Sequence, residues 1–77
     1  VTNIRYDLQK NKHVTLTIYD LNGRKINQIV NDIQTAGKKS AVWNATDSFG
    51  KPVSAGVYLY QIQAGEFVQT KKMVLLK

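Results

Sequence analysis

The stretch Ile18-Tyr19-Asp20-Leu21-Asn22-Gly23-Arg24 decides how this chain is read. An Asn-Gly pair between alternating apolar runs is the strongest short-range signal for a β-hairpin. The type I′ turn it predicts needs positive φ at both central residues, which Asn tolerates and Gly adopts freely. Upstream, Val14, Leu16 and Ile18 alternate with Thr15, Thr17 and Tyr19, a period of two that predicts a strand with one face inward. Earlier still, Ile4, Tyr6 and Leu8 alternate with Asn3, Arg5 and Asp7, and polar Gln9-Lys10-Asn11-Lys12 turns the chain between the two runs. Downstream the pattern is ambiguous, because Ile26, Ile29, Val30 and Ile33 recur at the spacing of an amphipathic helix. A strand is favoured over residues 25–34: the hairpin needs a partner directly after Arg24, and four β-branched residues suit a pleated surface. One extra residue near Gln28-Ile29, a β-bulge, brings Ile26 and Ile29 to the same face.

Thr35-Ala36-Gly37 breaks the chain, and Lys38 to Trp43 resumes as a strand ending in the single tryptophan. Trp43 is expected in the core with its indole N–H on a carbonyl; a carbohydrate contact by stacking on a sugar ring is the alternative. Asn44 to Gly56 contains Asp47, Ser48, Gly50 and Pro52 and reads as the longest loop, pinned to the body by Phe49 or Val53. Gly56 to Ile62 is apolar on both faces, which predicts a central strand. Tyr58, arriving just after the long connection, stands where Ig-like sandwiches carry a tyrosine whose hydroxyl bonds back to upstream backbone. Ala64-Gly65-Glu66 is a second break, followed by a last strand from Phe67 to Leu76. Its Met73-Val74-Leu75-Leu76 end is expected in the core, with edge pairing to another chain as the alternative. About seven such runs predict an all-β, Ig-like or fibronectin-like antiparallel β-sandwich in one domain over residues 1–77.

At 77 residues, nearly every large apolar side chain is needed for the core, which leaves little for a deep substrate pocket. The chain has no cysteine, hence no disulfide framework or thiolate chemistry. The net charge of +6 comes from lysines and arginines scattered along the chain rather than clustered with a groove-reading element, so no nucleic-acid partner is expected. His13 has no nucleophile at a spacing that singles it out, and no catalytic residue is assigned. Asp20-Leu21-Asn22-Gly23 opens like a calcium loop but lacks the acidic residues that should follow, so no metal or other cofactor is expected. Asn44-Ala45-Thr46 matches the glycosylation acceptor pattern. The chain carries no signal peptide or bilayer-spanning run and reads as a non-catalytic domain of a longer secreted protein.

Several segments together resemble a known family: the type A C-terminal sorting domain of the Bacteroidetes-type (type IX) secretion system, with its close relative, the Ig-like domain of flagellar hook-capping proteins. The resemblance rests on residues 2–8, on Val14 through Arg24, on Ala36-Gly37, on Trp43, on Gly56-Val57-Tyr58 with Tyr60, and on Lys71-Lys72-Met73-Val74-Leu75-Leu76-Lys77. It implies a domain that directs an N-terminal cargo, often a hydrolase, through outer-membrane secretion machinery to the cell surface, where an anionic polysaccharide can anchor the cargo. The recognition elements it implies are Gly23 and Arg24, Gly56 and Tyr58, and Lys71, Lys72 and Lys77. Two alternatives stay open: an Ig-like accessory module that spaces or binds polysaccharide beside a hydrolase, and a flagellar hook-capping domain. The sequence departs from the sorting pattern in lacking the opening Asn-Pro-rich segment and in carrying Trp43-Asn44-Ala45 where the family has Trp-Asp-Gly.

Overall fold

Two antiparallel sheets of unequal width face each other in the computed structural model, which describes residues 2–76. The strands are β1 (Thr2–Leu8), β2 (Lys12–Tyr19), β3 (Lys25–Gln34), β4 (Gly37–Trp43), β5 (Gly56–Ala64) and β6 (Phe67–Leu75). β1 and β4 make one sheet; the other has the order β3-β2-β5-β6, with β5 in its interior as expected. The fold is the predicted all-β sandwich, with six strands among the described residues rather than seven. The stretch between β4 and β5 forms a single bridge, Thr46 to Pro52, because its turn residues bend the chain before a ladder can extend.

Trp43, Leu16, Ile18 and Val14 are fully buried, and Ile4, Leu8, Tyr58, Ile62, Ala64 and Leu75 complete the core. Alternation explains most of this list: β1, β2 and β5 each send every second residue between the sheets. β3 departs from strict alternation, and the register shows how. Pairing steps from Leu16–Val30 to Thr17–Gln28, leaving Ile29 as an extra residue, and from Ile18–Asn27 to Tyr19–Lys25, leaving Ile26 as a second. Each bulge resets which face the next residue takes, so Ile26, Ile29 and Val30 all pack against the core. The helical spacing is therefore the imprint of a doubly bulged strand, and Ile33, the last member of that stripe, is 79 % exposed.

Two local expectations are corrected, and of the two residues expected to pin the long loop one does so. The 20–24 hairpin is not type I′, since Gly23 alone is left-handed there (φ 84°) and Asn22 is not. Phe49 does not pin the long loop; it is 85 % exposed, and Val53 packs on the core instead. The apolar end of β6 is not uniformly core: Leu75 is buried and Met73 half-buried, while Val74 and Leu76 are exposed. A strand of a two-layer sandwich is covered on one face, so an apolar run along it must leave alternate residues in water.

Candidate functional site

One end of the sandwich carries a repeated loop. Asp20 receives Asn22 N–H and Arg24 N–H on its carboxylate, each at 2.9 Å, while Gly23 N–H donates to its carbonyl and its own N–H donates to the Arg24 carbonyl. Asp47 makes the same set of bonds at the same offsets. Phe49 N–H and Lys51 N–H donate to its carboxylate at 2.9 Å, Gly50 N–H to its carbonyl, and Asp47 N–H to the Lys51 carbonyl. Gly50 has φ 82°, against 84° for Gly23. A carboxylate that gathers two amides closes the turn with a single left-handed residue, which is why neither loop needs the two that a type I′ turn demands. Both loops lift an exposed apolar side chain, Leu21 or Phe49, and end on an exposed cation, Arg24 or Lys51.

The second loop is fastened to the body. Ser48 N–H donates to the Ile26 carbonyl, the Asn27 amide donates to the Thr46 and Asp47 carbonyls, and Trp43 Nε1–H donates to the Thr46 carbonyl at 2.8 Å. Trp43 also meets Tyr58 edge to face, with ring centroids 5.3 Å apart, and the Tyr58 hydroxyl donates to the Ser54 carbonyl at 2.6 Å. The tyrosine corner read from the sequence is thus present. Because Asp47 holds a loop that Trp43 and β3 brace, Asp47→Ala should destabilise by about 2 kcal/mol and Asp20→Ala by about 1 kcal/mol. Urea denaturation of the two variants checks this, and equal effects would refute the bracing argument.

Ala45 sits in the left-handed region at φ 60°, where the Cβ costs roughly 1–2 kcal/mol. Ala45→Gly should therefore raise stability, by about 0.5 kcal/mol once the entropy of the unfolded glycine is set against the relieved strain. A lower melting temperature for that variant would contradict the strain assignment.

A sequence profile for the FlgD Ig-like domain matches residues 2–72. The chain belongs to the FlgD Ig-like domain family. Among solved structures, FlgD from P. aeruginosa is similar to it, at 25 % identity and a TM-score of 0.76. That match covers 95 % of this chain and 59 % of the other, so the chain spans less than two thirds of that protein. No curated protein matches the sequence.

Within this FlgD Ig-like domain, register brings Gly23, Arg24 and Gly56 to the same end: Tyr19, just before the first loop, pairs with Leu59, and Gly56 lies at the start of the same strand. Gly56 has φ 152° and faces Leu75 across the ladder, a backbone reason for glycine independent of recognition. Tyr58 and Trp43 present no free face; both are buried, which closes off sugar stacking on Trp43. Lys71 and Lys72 are exposed on opposite faces of β6. Lys77 lies outside the described residues. On the outer face of the large sheet, Lys25, Tyr19, Leu59 and Lys72 form one row across the four strands. Beside it run Gln28, Thr17, Gln61 and Thr70, with Gln28 donating to Thr17 and Gln61 to Thr70. Residues 44–56 were expected as a loop but not as a repeat of the first, although the Asp, Gly and cation at offsets of zero, three and four recur in both. Among the described residues no three His, Cys, Asp or Glu side chains form a group able to hold a metal.

Tyr6 donates a hydrogen bond to Gln34 Oε1 between the sheets. Burial, helped by the nearby Asp32 carboxylate, holds its phenol above the ordinary value. A raised folded value means that the unfolded chain releases the proton first. Stability should therefore hold up to about pH 10 and fall as pH rises through the folded value, and Tyr6→Phe should flatten that loss. Denaturation at rising alkaline pH checks the sign.

Proposed function

We propose that this FlgD Ig-like domain is a non-catalytic assembly module of a flagellar hook-capping protein, docking onto a protein partner through the paired Asp loops. The observation that carries this reading is the family match over residues 2–72, supported by the FlgD fold shared over 95 % of the chain. The loops suit such a role: Leu21 and Phe49 offer apolar tips, and Arg24 and Lys51 flank them with positive charge. Replacing Leu21 and Phe49 together by serine in the encoding organism should reduce the number of hooks seen by electron microscopy. Normal hooks, with the variant protein present at its usual level, would sink the proposal.

A second reading is favoured by β6. Its outer edge is unpaired among the described residues, and Lys71, Lys72, Val74 and Leu76 are exposed along it, as a sorting strand offered to a receptor would require. In that reading the domain carries its cargo through outer-membrane machinery to the surface, and the Lys25-Tyr19-Leu59-Lys72 row is the face suited to an anionic polysaccharide. Surface display of a folded reporter fused to this chain, in a type IX-competent host and not in its deficient counterpart, would move the assignment to sorting.

A further inference from the structure

The two sheets do not match in width, and the mismatch leaves a groove of about 850 Å³ along one side of the sandwich. β4 lies toward β3, to which residues 35–36 connect it, so β1 borders the open side. Across the groove, β6 pairing sets Phe67, Gln69 and Lys71 beside Ala64, Ile62 and Tyr60, which face the core. These three residues point between the sheets and yet are exposed, because among the described residues no strand lies above them. A third strand beside β1 would cover them.

β1 is suited to receive one. It pairs with β4 through seven residues with no register shift, so its other edge presents an unbroken row of amides and carbonyls. β3, at the far side of the large sheet, is interrupted by two bulges, a device that discourages edge pairing. Charge selects the occupant. Arg5, Lys10, Lys12 and Lys71 line the groove against Asp7 and Glu66. A second copy of this chain, itself at +6, would meet like charge there.

We propose that this groove binds an extended acidic peptide, carrying apolar and carboxylate side chains on its inward face, which adds to β1 as a third strand. Main-chain pairing gives it affinity, Ile62 and Phe67 receive its inward apolar side chains, Lys71 meets an inward carboxylate, and Arg5, on the other face of β1, lies beside an outward one. The inference goes beyond the assembly and sorting readings and holds under either.

The test titrates the isotope-labelled chain with a capped peptide of about seven residues in which pairs of valine alternate with pairs of glutamate, so that each face of the strand carries both, and with its valine–lysine counterpart, by NMR. The glutamate peptide should give saturable shifts confined to β1 and the residue 62–71 segment, with binding about tenfold tighter than the lysine peptide. Lys71→Glu should weaken it about tenfold, whereas Lys72→Glu, on the opposite face of β6, should leave it unchanged. Both variants should keep the parent melting temperature, since both positions are exposed. Absence of saturable shifts at millimolar peptide, equal binding of the two peptides, or shifts centred on β3 would overturn the proposal. So would concentration-dependent shifts of the same residues in the chain alone, which would make a second copy the occupant.

Discussion

Trp43→Ala should destabilise the domain by about 3–5 kcal/mol, the range for deleting a buried large aromatic side chain. The side chain is fully buried at the end of β4, stacks edge to face on Tyr58, and donates its indole N–H to the Thr46 carbonyl. Removing it opens a cavity between the sheets and takes one donor from the carbonyl that organises the second Asp loop. For a domain whose total stability is on the order of 5–10 kcal/mol, that is a large fraction. Trp43→Phe separates the two contributions. It keeps most of the ring, and Thr46 retains the Asn27 donor, so its cost should be nearer 2 kcal/mol. Urea denaturation followed by circular dichroism measures both. A loss below about 1 kcal/mol for Trp43→Ala would show that the two sheets are not joined through this residue.

Leu75→Ala should cost about 2–4 kcal/mol, while Val74→Ala and Leu76→Ala should each stay within about 0.5 kcal/mol. Leu75 is buried opposite Gly56, and its two neighbours are 61 % and 84 % exposed. Equal effects at the three positions would refute the placement of β6 as an edge covered on one face. The contrast also bears on function. Truncating the C-terminal end removes a core side chain together with any recognition element, so a loss of export after truncation would follow from unfolding alone. Lys72→Glu is the cleaner probe of sorting, because that side chain lies on the outer face and contributes nothing to the core.

Periodicity carried much of the fold. Ile4 and Leu8, Val14, Leu16 and Ile18, and Tyr58 and Ile62 are buried where a period of two places them. Residues 25–34 could be assigned as a strand because the Asn-Gly pair demanded a partner immediately after Arg24. The extra residue near Gln28-Ile29 was legible because it brings Ile26 and Ile29 to the same face, whereas the second bulge, at Ile26, had no separate signal. Tyr58 was legible because its position after a long connection fixes where its hydroxyl can reach. The candidate site was legible only in pieces. Gly23, Arg24 and Gly56 were singled out from a resemblance, and the register that gathers them at one end is a property of the ladder.

The sequence by itself determined the all-β class, the order of the strands, the turn positions and the inward residues of the central strands, because these depend on local φ/ψ preference and on alternation along a single strand. The tertiary structure decided which face of β6 the other sheet covers, hence that Val74 and Leu76 face water and Leu75 does not. It also decided that Asp47 would be braced by Trp43 and Asn27, and that a two-stranded sheet would leave part of a four-stranded one uncovered. These outcomes depend on contacts between residues far apart in the chain, and a linear pattern of apolar and polar residues does not encode which neighbour will cover a given face.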